Sequence, residues 1–105
     1  DGNLQRGTEA LIQSLLQSNP QIRRQSSGYV RETIGGRNAL TTTLRNVSEA
    51  TGKAEAVVLS TLGLRDGSLL YLIQVAPQDE VNIYNSTFRR MRQSVQVDDR
   101  RLASR

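Results

Sequence analysis

The sequence predicts an α+β fold in which an antiparallel meander of four to five strands is flanked by N- and C-terminal helices, in the order α-β-β-β-β-α. Three observations carry this expectation. An apolar stripe at helical spacing opens the chain, four strand-like segments joined by short glycine-containing turns fill its middle, and a second helical stripe follows a proline-led acidic start. With 105 residues there is room for one domain, assigned to residues 1–99, followed by a basic tail at 100–105.

In the first helix, Leu11, Ile12, Leu15 and Leu16 put one apolar stripe on residues 8–18, and Leu4 extends it backward. Asn19-Pro20 ends it, because a residue before proline is pushed out of the helical region. Residues 27–34 alternate as a strand, and Gly35-Gly36 supplies the positive φ that a two-residue hairpin needs. The second strand spans residues 37–46, where Thr41, Thr42 and Thr43 are stiff, β-branched side chains suited to a pleated surface. Residues 47–54 read as a polar loop. A third strand covers residues 56–64, and Arg65-Asp66-Gly67 turns the chain.

The fourth strand, residues 68–76, is apolar almost throughout, with Gln74 its only polar residue after Ser68, and is therefore expected to be covered on both faces. Pro77-Gln78-Asp79-Glu80 then signals a helix start, with Val81, Tyr84, Phe88, Met91 and Val95 recurring at helical spacing to about residue 95. Gln96-Val97 is a candidate short edge strand. Helices on both sides of the fourth strand would make an α/β/α sandwich; one helix plus a partner protein satisfies the same pattern.

Composition excludes more than it assigns. The chain has no His and no Cys, which removes Ser-His-Asp and Cys-His nucleophilic sites, imidazole or thiolate zinc sites and redox dithiols. No apolar run approaches the ~18 residues of a membrane span, so no membrane span is expected. The net charge of +4 is largely a tail effect: eleven of the fourteen basic residues precede residue 100 against all ten acidic ones, which leaves +1. The chain begins at Asp1-Gly2 rather than Met, which suggests a segment of a longer protein or a processed form.

The densest basic group outside the tail is Arg89, Arg90 and Arg92, read as a solvated helix face or, as the candidate partner-binding residues, a contact for phosphate or an acidic partner. Arg23 and Arg24 are read the same way. Exposed aromatics interleaved with basic residues, expected of a nucleic-acid binder, are not evident among three Tyr and one Phe, and no nucleic-acid partner is expected.

Thr51-Gly52-Lys53 fails as a phosphate-binding loop, since positions 47 and 54 hold Val and Ala instead of Gly and Ser or Thr. Lys53, the only lysine, reads as a turn residue. Asp79-Glu80 complements the positive end of the following helix, and Asp98-Asp99 belongs to the tail. The acceptor patterns Asn46-Val47-Ser48 and Asn85-Ser86-Thr87 read as chance, and Tyr29, Tyr71, Tyr84, Phe88 and Met91 as core. No catalytic, cofactor-binding or metal-binding residue is assigned.

Three stretches together resemble a known module: Ile34-Gly35-Gly36-Arg37-Asn38-Ala39-Leu40-Thr41-Thr42-Thr43-Leu44, then Leu64-Arg65-Asp66-Gly67-Ser68-Leu69-Leu70-Tyr71-Leu72-Ile73, then Val75-Ala76-Pro77-Gln78-Asp79-Glu80. Over residues 8–98 the chain is similar to the non-catalytic C-terminal module of bacterial zinc metallopeptidases of the Ste/HtpX/Oma-like gluzincin class, whose fold is PsbP/Mog-like. The resemblance implies an accessory domain for substrate presentation, regulation or partner docking, in a periplasmic or envelope-associated bacterial protease. Its zinc and its His-Glu-x-x-His helix would lie in a catalytic domain outside this chain, since a chain without His cannot hold them. The implied partners are that catalytic domain and a protein substrate or regulator. The alternative is a free-standing PsbP-like extrinsic binding subunit of an envelope complex.

Overall fold

A computed structural model of the chain describes residues 2–25 and 28–97. Its elements are α1 (Gly2–Ser18), β1 (Arg23–Arg24), β2 (Val30–Ile34), β3 (Arg37–Val47), β4 (Ala54–Gly63), β5 (Leu69–Pro77), a 3-10 turn (Gln78–Glu80) and α2 (Val81–Gln93). The strands form one antiparallel sheet. β1 and β2 both pair with the same side of β3, and β4 and β5 follow in order. This is the expected α+β order of an N-terminal helix, an antiparallel sheet and a C-terminal helix.

The sheet lies between the two helices. α1 packs Ile12 against Leu44, Val57 and Leu59 on one face, with Leu11, Leu15, Leu16, Ile22 and Tyr29 around them. On the other face α2 sets Phe88 against Val58 and Ala76, and a third cluster joins Ile34, Ala39 and Leu62. Alternation along β4 explains the division: Val57, Leu59 and Thr61 point one way, and Ala56, Val58, Ser60 and Leu62 the other. All seven are buried, so β4 is the strand covered on both faces. Two hydroxyl pairs satisfy the polar groups buried there, Thr8 with Thr61 at 2.6 Å and Thr41 with Ser60 at 2.7 Å.

α1 begins at Gly2, before the 8–18 segment, and includes the backward extension expected through Leu4. Leu4 is buried and carries the apolar stripe backward, and Thr8 Oγ1 donates to Leu4 O at 2.7 Å. Asn19 ends the helix as expected, its backbone N–H and its Nδ2 both donating to Leu15 O at 3.0 Å. The two-residue β1 has no counterpart in the sequence expectation, because two residues carry no period. It forms by pairing Arg23 with Arg45 and Arg24 with Leu44.

β2 starts at Val30; the expected start at residue 27 lies outside the described residues. The Gly35-Gly36 turn has φ of 59° and 77°, as a two-residue hairpin requires. A Cβ on Gly35 would lie 2.7 Å from Val97 Cγ2, so this glycine also admits the segment after α2. That segment accounts for a correction at the C-terminal end. α2 stops at Gln93, and Val95 and Val97 leave helical geometry to pack on the Ile34 cluster, so residues 96–97 form no strand.

The largest correction concerns β5. It is not covered on both faces: it is the outer strand of the sheet, with Tyr71, Ile73 and Val75 exposed on the face that carries α1. α1 runs above β3 and β4 and approaches β5 near that strand's start, where Leu69 Cδ1 lies 3.7 Å from the Cβ position of Gly7. The basic tail at 100–105 and Asp98-Asp99 lie outside the described residues.

Candidate functional site

The open side of β5 is the feature that the fold leaves uncovered. Its nine residues, Leu69–Pro77, contain no charged side chain, and their pairing with β4 runs without a register slip from Gly63↔Leu69 to Glu55↔Pro77. At the hairpin, Leu64 N–H donates to Ser68 O at 2.8 Å. From that pair, antiparallel alternation directs the backbone groups of Leu70, Leu72, Gln74 and Ala76 toward β4 and those of Tyr71, Ile73 and Val75 outward. The same three residues expose 49%, 46% and 49% of their surface. Outward backbone groups and an apolar stripe thus coincide on one edge, the usual template for pairing with another chain.

The neighbouring flank of α2 also exposes apolar side chains. On a helical projection Asn85, Arg89 and Arg92 share one flank, and they line a cleft of about 390 Å³ with Val30, Glu32, Thr41, Thr43 and Val58, over β2–β4. The opposite flank therefore faces the β5 side and carries Tyr84, Thr87 and Met91. Met91 is 53% exposed, and Tyr84 stacks on Phe88 with ring centroids 5.9 Å apart. Of the side chains expected in the core, Tyr29, Tyr71, Tyr84, Phe88 and Met91, only Phe88 is buried; Tyr29 is half-buried, and Tyr71, Tyr84 and Met91 are exposed because they lie at this edge.

The three arginines singled out from sequence differ in exposure, although Arg89 and Arg92 line the same cleft. Arg89 and Arg90 are exposed, whereas Arg92 is 9% exposed and committed inside the protein. Its Nη2 and Nε lie 3.1 and 3.2 Å from Glu32 Oε1, and its Nη1 donates to Gln74 Oε1 at 3.0 Å. Gln74 Nε2 donates in turn to Phe88 O at 3.1 Å. Arg92 thus leaves the solvated face assigned to it and joins β2, β5 and α2. Sequence reasoning had no route to this, as its partners lie 60 and 18 residues away.

Arg24 is likewise paired. Its Nη1 and Nη2 donate to Glu9 Oε2 and Oε1 at 2.8 and 2.9 Å, and the Tyr29 hydroxyl donates to the same carboxylate. Arg24, and then Tyr29, hold the Glu9 carboxyl down from 4.5 to about 2, while burial, reinforced by the Glu9 contact, pushes the Tyr29 phenol up. A depressed carboxyl stabilises the folded state fully above its unfolded value and loses that contribution as pH falls toward the folded one. Stability should therefore drop between pH 4.5 and about 2 through Glu9, and Glu9→Gln should flatten this drop in urea titrations across that window. An acid limb unchanged by the substitution would count against the pairing.

The remaining candidates stay apart. Lys53 is exposed in the β3–β4 turn, where its backbone N–H donates to Thr51 Oγ1 at 3.2 Å. Asp79 and Glu80 occupy the 3-10 turn before α2 and make no side-chain cap there. Asn46 Nδ2 donates to Glu55 Oε1 at 3.1 Å within the sheet, and Asn85 lies in α2. An open cleft of about 640 Å³ at the hairpin tips is lined in part by Asn3, Gly7, Gly36, Arg37, Asn38 and Ser68, whose hydroxyl donates to the Asp66 carboxylate in the exposed turn.

No family model, no curated protein and no solved structure matches this chain. The donor set does not fit zinc: the sequence has no His or Cys, and among the described residues no three His, Cys, Asp or Glu cluster as metal ligands. Among the described residues no helix is long and apolar enough to cross a membrane.

Proposed function

We propose that this chain is a non-catalytic interaction module that docks a protein through the open side of β5. The observation that carries the reading is the coincidence, at Tyr71, Ile73 and Val75, of outward backbone groups with exposed apolar side chains on an uncharged strand. The lack of His and Cys supports the non-catalytic part. On the resemblance of its three motifs, the reading extends to an accessory domain of a bacterial zinc-dependent metalloendopeptidase, periplasmic or envelope-associated, whose catalytic domain lies outside this chain. There it would present substrate, regulate the protease or dock a partner. The test compares cleavage of an unfolded protein by the 105-residue chain and by the full-length parent, with and without a chelator. Chelator-sensitive cleavage by the parent alone is the expected result. Cleavage by the isolated chain overturns the non-catalytic reading, and a folded, zinc-loaded parent without such activity removes the protease assignment.

A further inference from the structure

The two edges of the sheet are built differently. On one side β3 is covered by two short strands carrying Arg23, Arg24 and Arg31, and short, charged, interrupted strands are a common guard against pairing with another chain. On the other side β5 has nine residues, no charge, no bulge and no proline before its last position. The guard is missing where the apolar stripe lies.

We propose that the occupant of this edge is a second copy of the chain, its β5 pairing antiparallel with the first about a two-fold axis at Ile73; this rests on the docking role assigned to β5 above. The register follows from the outward groups. Ile73 faces its counterpart, and Tyr71 faces Val75 in both directions, so each of these facing pairs exchanges two backbone hydrogen bonds. On the face that carries α1 the two stripes of Tyr71, Ile73 and Val75 become continuous and partly cover one another.

Two further features favour a second copy over an extended peptide. The apolar border has two layers, with Tyr84 and Met91 on the α2 flank above the strand. A peptide adds one strand, whereas a second copy adds a strand and the matching helix flank. The paired strands also bring no like charges together despite the net charge of +4, because β5 is uncharged; on α2, Arg89 and Arg92 sit on the far flank, and Arg90 is the basic residue that reaches the near one, through Thr87. The symmetry makes the contact isologous, so it closes at two copies rather than extending into a filament.

Sedimentation equilibrium on the full chain tests this, together with hydrogen exchange at the amides of Tyr71, Ile73 and Val75 over a dilution series. The expected results are a dimer whose three amides are protected and lose protection on dilution. Ile73→Lys and Ile73→Glu, at a half-exposed position, should each give a folded monomer by circular dichroism, since each places like charges opposite one another. Mixing the two variants should restore a mixed dimer. A chain that stays monomeric with freely exchanging amides at every concentration overturns the proposal, as does a dimer that Ile73→Lys leaves intact. Monomeric behaviour together with the absence of cleavage by the chain overturns only the choice of occupant, whereas cleavage by the chain overturns the underlying reading.

Discussion

Replacing Arg92 with alanine is expected to lower the unfolding free energy by about 3–5 kcal/mol, the usual cost of removing one partner from a buried ion pair. The cost arises from what is left behind. Glu32 is 16% exposed, its Oε1 accepts from Arg92, and its Oε2 is already buried with no hydrogen-bond donor among the described residues. Without the guanidinium the carboxylate loses its charge partner in a largely buried position, and Gln74 Oε1 loses its donor as well. The double variant Arg92→Met with Glu32→Leu should recover most of the loss, because apolar replacement of a buried pair is often neutral or better. Urea unfolding of Arg92→Met, Glu32→Leu and the double variant against the unsubstituted chain gives the coupling directly. Arg92→Ala costing under about 1 kcal/mol, as exposed pairs do, would place this arginine back on a solvated face.

Leu44→Ala should cost about 2–5 kcal/mol, with the urea midpoint falling and the slope unchanged. Leu44 is fully buried between α1 and the sheet and touches the cluster of Ile12, Val57 and Leu59. A domain of this size has roughly 5–15 kcal/mol in total, so the loss is a large share of it. The matched control is Ile83→Ala on α2, at a residue 71% exposed, where a change within about 0.5 kcal/mol is expected. A comparable loss at both positions would mean that Ile83 is covered in solution by something other than the described residues.

Both variants lie on contacts whose visibility in the sequence differs. Leu44 was partly legible, because it closes a β-branched run suited to a pleated, half-buried surface, and the first helix carries an apolar stripe able to cover such a surface. Arg92 was not legible. Helical spacing puts it near Arg89 on a basic face, and only packing of α2 over β2 and β5 brings it to Glu32 and Gln74. The docking edge was half legible. An unbroken apolar strand at residues 69–76 stands out in the sequence, but the same run suits a strand covered on both faces and an outer strand waiting for a partner. The order of elements held the deciding signal: in a meander of consecutive antiparallel strands the last one is at an edge unless the chain returns beside it, and here the chain turns away into α2.

What the sequence determined by itself was local. Hydrophobic period, glycines with positive φ at the hairpin and a proline after Asn19 specify where each element runs, because these preferences act within a few residues. The lack of His and Cys likewise removed whole classes of chemistry before any fold was known. Tertiary structure decided coverage. β4 is buried on both faces and β5 is left open on one because α1 runs above β3 and β4, and α2 on the other face spans from β2 to β5. Coverage depends on where a helix lands on the sheet, which is set by packing between residues far apart in the chain. For that reason the apolar strand that looked like core is the outer strand of the sheet, with Tyr71, Ile73 and Val75 exposed.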